Sequence, residues 1–327
     1  MEHHARRPSG RRSLPLAGFV AISAIAALPA VALLAQAPSR PFTVIETGQS
    51  FERLQDAVDA IGSGTGTVAI GPGTHRQCAV QEAGKIAFMA SEPGSAIFDG
   101  VACEGKAALV LRGREASIAG LVFRRVSVAD GNGAGIRLEE GNLTVGQSWF
   151  QESQQGILTA NNPAGRIVID KSTFSGLGTC ENSAGCAHSI YIGDYGALRV
   201  TRSRFERGTG GHYVKSRAAR VEIVASSFDD SAGRGTNYMI DLPAGAVGQI
   251  SNNWGVQGRN KENYSAFIAV GAEDVLHPSD GLRIAGNDAR IVPGLNRSTT
   301  FVADWTGARI ALADNQLGVG LAPLERR

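Results

Sequence analysis

Aromatic residues, sulfur and an excess of either charge are all scarce in this chain of 327 residues. Aromatics make up 6%, with only 3 Trp, 3 Met and 4 Cys. Setting aside the four Arg and one Glu of the first 37 residues leaves 28 basic side chains against 29 acidic ones, a net charge of −1. So neutral a body has no general field to attract nucleic acid or an anionic membrane, and any polyanion must be held by a local cluster. No tract has the biased composition of a disordered segment. The cysteines lack zinc-type spacing and no His pair accompanies them, so a metal centre is the poorer use for them. No strict hexapeptide repeat is present, which argues against a left-handed β-helix.

What the chain has is glycine, 42 residues of it, and a recurring phrase Ser-x-Phe. The phrase occurs as Ser148-Trp149-Phe150, Ser172-Thr173-Phe174, Ser203-Arg204-Phe205 and Ser226-Ser227-Phe228, with Asn252-Asn253-Trp254 as a variant. The aromatic residues are 24, 31, 23 and 26 positions apart, and Phe123 lies 27 before the first. Such a period, carried by short apolar runs, means one structural unit stacked many times. Strand-like runs come in pairs, among them Ala108–Leu111 with Ser117–Ala119, Gly135–Leu138 with Leu143–Val145, and Ser189–Ile192 with Leu198–Val200. Turns rich in Gly, Asn, Asp and Ser separate them. Before them, Phe51, Leu54, Ala57, Val58 and Ile61 recur at helical spacing and predict a short amphipathic helix of about three turns that caps the first rung.

The N-terminus is read apart from this body. Arg6, Arg7, Arg11 and Arg12 precede an apolar stretch over residues 14–35, and Ala35-Gln36-Ala37 offers the small residues of a signal-peptidase site. The expected organisation is a signal peptide at 1–37 and one domain at 38–327, with export to the periplasm or medium. Pro38 just after the cut leaves open an uncleaved anchor through residues 14–35, the one membrane contact expected. An even number of cysteines in an oxidising compartment favours disulfides. Of the three possible pairings, spacing favours Cys78 with Cys103 and Cys180 with Cys186.

The repeat resembles the right-handed parallel β-helix of the pectate-lyase-like superfamily over residues 43–317. The expected fold is therefore all-β, a solenoid of about nine rungs with a capping helix. Aligning rungs sets His188-Ser189-Ile190-Tyr191 over His212-Tyr213-Val214-Lys215-Ser216-Arg217, and these over Tyr238-Met239-Ile240-Asp241. Alternate side chains of a strand face opposite ways. With Ile190, Val214 and Ile240 inward, Tyr191, Lys215 and Asp241 form an outward column at the spacing of about 4.8 Å between strands, and Arg217 lies on the same side. By the same parity His188 and His212 share the inward side.

The segment His212–Ala218 with its neighbours looks like a group of exported bacterial β-helix repeat proteins. More distantly, Lys215-Ser216 is similar to the Lys-Ser of the alginate lyase and chondroitinase B family. That resemblance implies Lys215 as a catalytic base. The same family has an Arg acid about one rung later, where this chain has Thr236, Asn237 and Tyr238. The expected substrate is a uronate-containing polysaccharide, cleaved by β-elimination or epimerised at C5. Arg217 would neutralise its carboxylate, and Tyr191, His188 or His212 would protonate the leaving oxygen. Asp241, Tyr213 and Tyr238 are the candidates for substrate contact.

Plainer readings stand beside these. Lys215 and Asp241 also make sense as a surface ion pair, the histidines as strand-end packing, and Tyr213 and Tyr238 as core. Asp229-Asp230 sits in a turn and lacks the second acid pair of a glycoside hydrolase. Glu273-Asp274 suits an acidic groove or, with a third oxygen donor, calcium, but no clear motif supports a cofactor. A carbohydrate-binding or structural β-helix without catalysis is the alternative function.

Overall fold

The computed structural model describes residues 40–182 and 185–327. The leader at 1–37, the anchor reading of 14–35 and the cleavage point lie outside the described residues. The body is a parallel β-helix. Each rung gives one strand to each of three sheets, of 12, 10 and 10 strands, in line with the nine or so rungs expected. At the start of the first sheet Phe42–Val44 runs antiparallel both to Gln49–Phe51 and to Thr65–Ile70, and the strands that follow among the described residues pair in parallel. The helix is shorter than its sequence pattern suggests, Leu54–Ile61, because Phe51 belongs to a strand. It buries Leu54, Ala57 and Val58 and ends at Gly62, whose φ of 55° suits a residue without a Cβ.

The Ser-x-Phe phrase has two separate causes. Its phenylalanines stack: Phe98, Phe123, Phe150, Phe174, Phe205 and Phe228 form a continuous column with centroids 4.8–5.5 Å apart and ring planes within 16°. Its serines bind the backbone of the neighbouring rung. Ser172 Oγ accepts the Ser148 N–H (3.3 Å), Ser203 Oγ that of Ser172 (3.2 Å) and Ser226 Oγ that of Ser203 (3.1 Å). Asn253, Asn287 and Asn315 continue the ladder as acceptors. These amides are buried at a corner where no strand pairs them, and each left unbonded would cost about 1–3 kcal/mol. The corner itself requires a left-handed residue just before the Ser or Asn, among them Gln147, Lys171, Arg202, Ala225 and Asn252.

The phenylalanine column sits in the second sheet and needs small residues opposite it. The third sheet supplies them. A Cβ on Gly135 would come within 2.7 Å of Phe150, and one on Gly156 within 2.8 Å of Phe174. Further on the sizes exchange: Gly255 and Ala289 take the place of Phe in the second sheet, and Met239, Phe267 and Phe301 fill from the third. This filling has a geometric consequence for the third sheet. Tyr213 and Val214 are consecutive, yet both point into the core, at 1% and 0% exposure. The strand carries one inward residue more than strict alternation allows, a bulge-like break in the pleat, and the residues before it are turned outward.

Both cysteine pairs form disulfides, Cys78–Cys103 and Cys180–Cys186. No helix among the described residues is long and apolar enough to cross a membrane.

Candidate functional site

The outer face of the third sheet changes character along its length. At its N-terminal end it is an ion-pair mesh in which Arg112 meets Glu82, Glu104 and Glu139. It then carries Val110 and Leu158, which pack with Ala107 and Ala134, with Arg137 between them in register. The candidate site follows. Strand register places Tyr191 beside Lys215 and Lys215 beside Asp241, the column expected from alternation.

Three groups converge on Lys215. Its Nζ donates to Glu273 Oε1 at 2.6 Å, lies 3.4 Å from Asp241 Oδ2 and 6.0 Å from the centre of the Tyr191 ring. Arg217 Nη2 donates to the other oxygen of Glu273, and its Nε donates to Tyr191 Oη at 3.0 Å. Lys215 and Arg217 thus close on one carboxylate, and the Tyr191 hydroxyl, having accepted from Arg217, keeps its own proton free to donate. Lys215 is largely buried, its side chain 12% exposed, against 42% for Glu273. The glutamate is the outer lid of the cluster.

The histidines are on this face, contrary to the inward parity read from the sequence. The additional inward residue at Tyr213 reverses the alternation ahead of Val214. His188, His212 and Tyr238 therefore stack as an outward column, with centroids 4.9 and 5.4 Å apart. His188 Nδ1 accepts the His212 backbone N–H at 3.0 Å, which leaves Nε2 to carry the proton of the neutral ring. Burial first, and the nearby Lys215 charge second, push His188 down to about 3. Burial, then His188 and Lys215, push His212 well below its ordinary value as well. Both rings are neutral at physiological pH and act as hydrogen-bonding groups rather than as imidazolium acids.

Tyr213 does not belong to the site. Its ring is in the core and its hydroxyl donates to Asp230 Oδ1 at 2.8 Å, so the expectation of substrate contact is corrected by its burial. Tyr238 is 9% exposed and presents its ring to His212 and the apolar outer patch of Ala266, Ala269 and Ala303. Two polar atoms on this face, His212 Nδ1 and Asp241 Oδ1, are buried without a hydrogen-bond partner.

Sequence reasoning offered Glu273 as an acidic groove residue or calcium ligand and did not bring it to Lys215 and Arg217. Glu273 comes from a loop 58 residues beyond Lys215, outside any strand, and no spacing rule points to it. Its carboxylate is taken up by the two cations, and no three His, Cys, Asp or Glu converge as a metal-binding set among the described residues. The Asp229-Asp230 pair divides. Asp229 makes the expected turn bond to the Ser231 N–H, whereas Asp230 is fully buried and paired with Lys261.

Burial pushes the Asp241 carboxyl up to about 6, against the downward pull of Lys215. An unfolded carboxyl titrates near 4. Between those values the unfolded chain releases a proton that the folded protein keeps. The contribution is fully present below about pH 4 and is lost as pH rises through about 6. Asp241→Asn is therefore expected to stabilise the fold at pH 7, by on the order of 2 kcal/mol, and to raise its melting temperature there but not at pH 4. A melting series that shows the same difference at both pH values would refute this.

No family model matches the chain. Among curated proteins, a probable lactoylglutathione lyase of Vibrio cholerae serotype O1 is 34% identical over 80 residues, which are 23% of this chain. The match spans 58% of that protein's own length. Among solved structures, an alginate lyase from Paenibacillus sp. str. FPU-7 superposes with a TM-score of 0.67, covering 84% of this chain and 95% of that one at 18% identity. A PL6 alginate lyase in complex with a trisaccharide gives a TM-score of 0.42 at 12% identity, covering 80% of this chain and 57% of that one. At such identities the likeness to the Paenibacillus structure is one of fold: this chain has the β-helix architecture of that protein.

Proposed function

We propose that this chain is a polysaccharide lyase that cleaves a uronate-containing glycan by β-elimination. The observation that carries the reading is the closure of Lys215 and Arg217 on a single carboxylate beside the Tyr191 hydroxyl. Elimination from a uronate needs the carboxylate neutralised, the C5 proton removed and the C4 oxygen protonated as it leaves. Arg217 takes the substrate carboxylate by charge-assisted hydrogen bonds. The Lys215 amine removes the C5 proton, that electron pair becomes the C4–C5 double bond, and the C4–O bond breaks. Tyr191 gives its proton to the departing oxygen, and Arg217 Nε, already bonded to Tyr191 Oη, stabilises the phenolate left behind. Proton exchange with water then restores both groups. His188, His212 and Asp241 bond sugar hydroxyls.

The fold shared with the Paenibacillus alginate lyase supports this reading, and two disulfides fit action in the periplasm or medium. The test is incubation with a panel of acidic polysaccharides while following the ultraviolet absorbance of an unsaturated uronate. A rise with at least one polymer is the expected result. Deuterium entering at C5 from heavy water without new unsaturated ends would mark an epimerase instead. Glycan binding with neither would mark a binding module.

A further inference from the structure

The segment that carries Glu273 runs against the order of the rungs. It leaves the third sheet after Ala266–Val270 and should pass to Arg283–Ala285 in the first, yet it doubles back. The Glu273 N–H donates to Pro243 O at 3.2 Å, and the Leu276 and His277 N–H groups both donate to Ala244 O at 2.9 Å. His277 Nε2 then meets Asp194 Oδ1 at 3.0 Å, a contact between residues 83 apart. Gly271 and Gly281, with φ of 72° and 80°, stand at the two ends of the segment.

This path brings Glu273 onto two cations that belong to an earlier rung. Burial raises the Glu273 carboxyl, but hydrogen bonds from Lys215 and Arg217 outweigh it and lower the pKa, so the group is an anion at neutral pH. The cations lie beneath it, with side chains 12% and 23% exposed. A carboxylate that met the same two donors, Lys215 Nζ and Arg217 Nη2, would take the position that Glu273 holds.

We propose that Glu273 is a resident carboxylate occupying the subsite of the substrate's uronate carboxylate, and that ligands bind by displacing it. The inference rests on the reading of the site given above and identifies what the site selects. A neutral glycan offers Lys215 and Arg217 nothing in exchange for Glu273. A uronate replaces one carboxylate by another and releases the segment from its two ionic contacts. Affinity for the ligand is reduced by whatever fraction of the protein has Glu273 in place.

The experiment compares wild type with Glu273→Gln and Glu273→Ala by calorimetric binding of trigalacturonate and trimannuronate, each beside its carboxyl-reduced counterpart. Turnover is followed in parallel. Loss of the resident charge is expected to tighten binding of an acidic trisaccharide at least about tenfold, with no change for the reduced sugars. KM should fall in the variants while kcat does not rise. Unchanged or weaker binding alongside continued turnover would overturn the displacement role and leave the lyase reading intact, since Glu273 would then be positioning Lys215. Tighter binding without turnover in any protein would keep the subsite and reject the lyase. Binding of none of the probes by any of the three proteins rejects the subsite. Agreement of the two substitutions guards against a folding artefact, the glutamate being 42% exposed.

Discussion

Lys215→Ala is expected to lower kcat/KM on the cleaved polysaccharide by about a thousandfold, within the roughly 10²–10⁴ range of a positioned acid–base group. The loss corresponds to about 4 kcal/mol of transition-state stabilisation. The replacement that decides the role is Lys215→Arg. It keeps the positive charge that meets Glu273 and Asp241 but cannot supply a neutral base, because a guanidinium stays protonated. If Lys215 removes the C5 proton, the arginine variant is as inactive as the alanine one while still binding the glycan. If it were instead a second clamp on the carboxylate, the arginine variant would retain most of its activity. Tyr191→Phe should lose kcat with little change in binding, since it keeps the ring beside His188 and removes only the hydroxyl that meets Arg217. Steady-state kinetics on the three variants, read as separate kcat and KM, check all of these outcomes.

Lys261→Met is expected to destabilise the fold by about 3–5 kcal/mol, the cost of leaving a buried charge without its partner. Lys261 and Asp230 are 1% and 0% exposed and 3.0 Å apart. Asp230 also accepts from Tyr213 Oη at 2.8 Å, Thr236 Oγ1 at 2.7 Å and the Gly258 N–H at 3.0 Å. Burial lowers the pKa of Lys261, and the Asp230 charge opposes that shift. The double variant Asp230→Asn/Lys261→Met removes both charges and keeps one oxygen for Tyr213 Oη and Thr236 Oγ1, while the Gly258 N–H, which meets the other oxygen, loses its acceptor. It should still recover part of the loss of the single variant, so that the cycle reports the coupling. Denaturant titration of the four proteins measures it, and additive losses would refute the pairing. The effect extends to the site. Thr236 bridges in parallel to Gly211 and to Lys261, so this hub fixes the turns that present His212 and Tyr238.

The sequence made the repeat legible because both of its signals are local and obligatory. A corner that buries an amide needs Ser or Asn at one place, and an aromatic column needs Phe two residues later. Alternation then located Tyr191, Lys215, Asp241 and Arg217 on one face without further information. It failed for His188 and His212 because parity holds only along an unbroken pleat. The additional inward residue at Tyr213 answers to the size of side chains across the core, which lie in another sheet. The pairing of Glu273 with Lys215 and Arg217 was hidden for a different reason. The glutamate reaches the site by a path perpendicular to the strands, and no periodicity records such a path. Asp230 looked like a turn acid since its partner, Lys261, is 31 residues away in another turn.

The phenylalanine column keeps its spacing although the chain between successive rings varies from 23 to 31 residues. The surplus is spent in loops, and each ring touches only the one before and the one after. Arg124 and Gln151 occupy equivalent places in adjacent strands, so a chain that ran from Phe123 straight to Gln151 would re-form the same stack with one member fewer. Genes for such a body can lengthen or shorten in whole units through unequal recombination. The stretch ahead of Tyr191 can therefore change length by whole rungs without altering the face that carries Tyr191, Lys215 and Asp241.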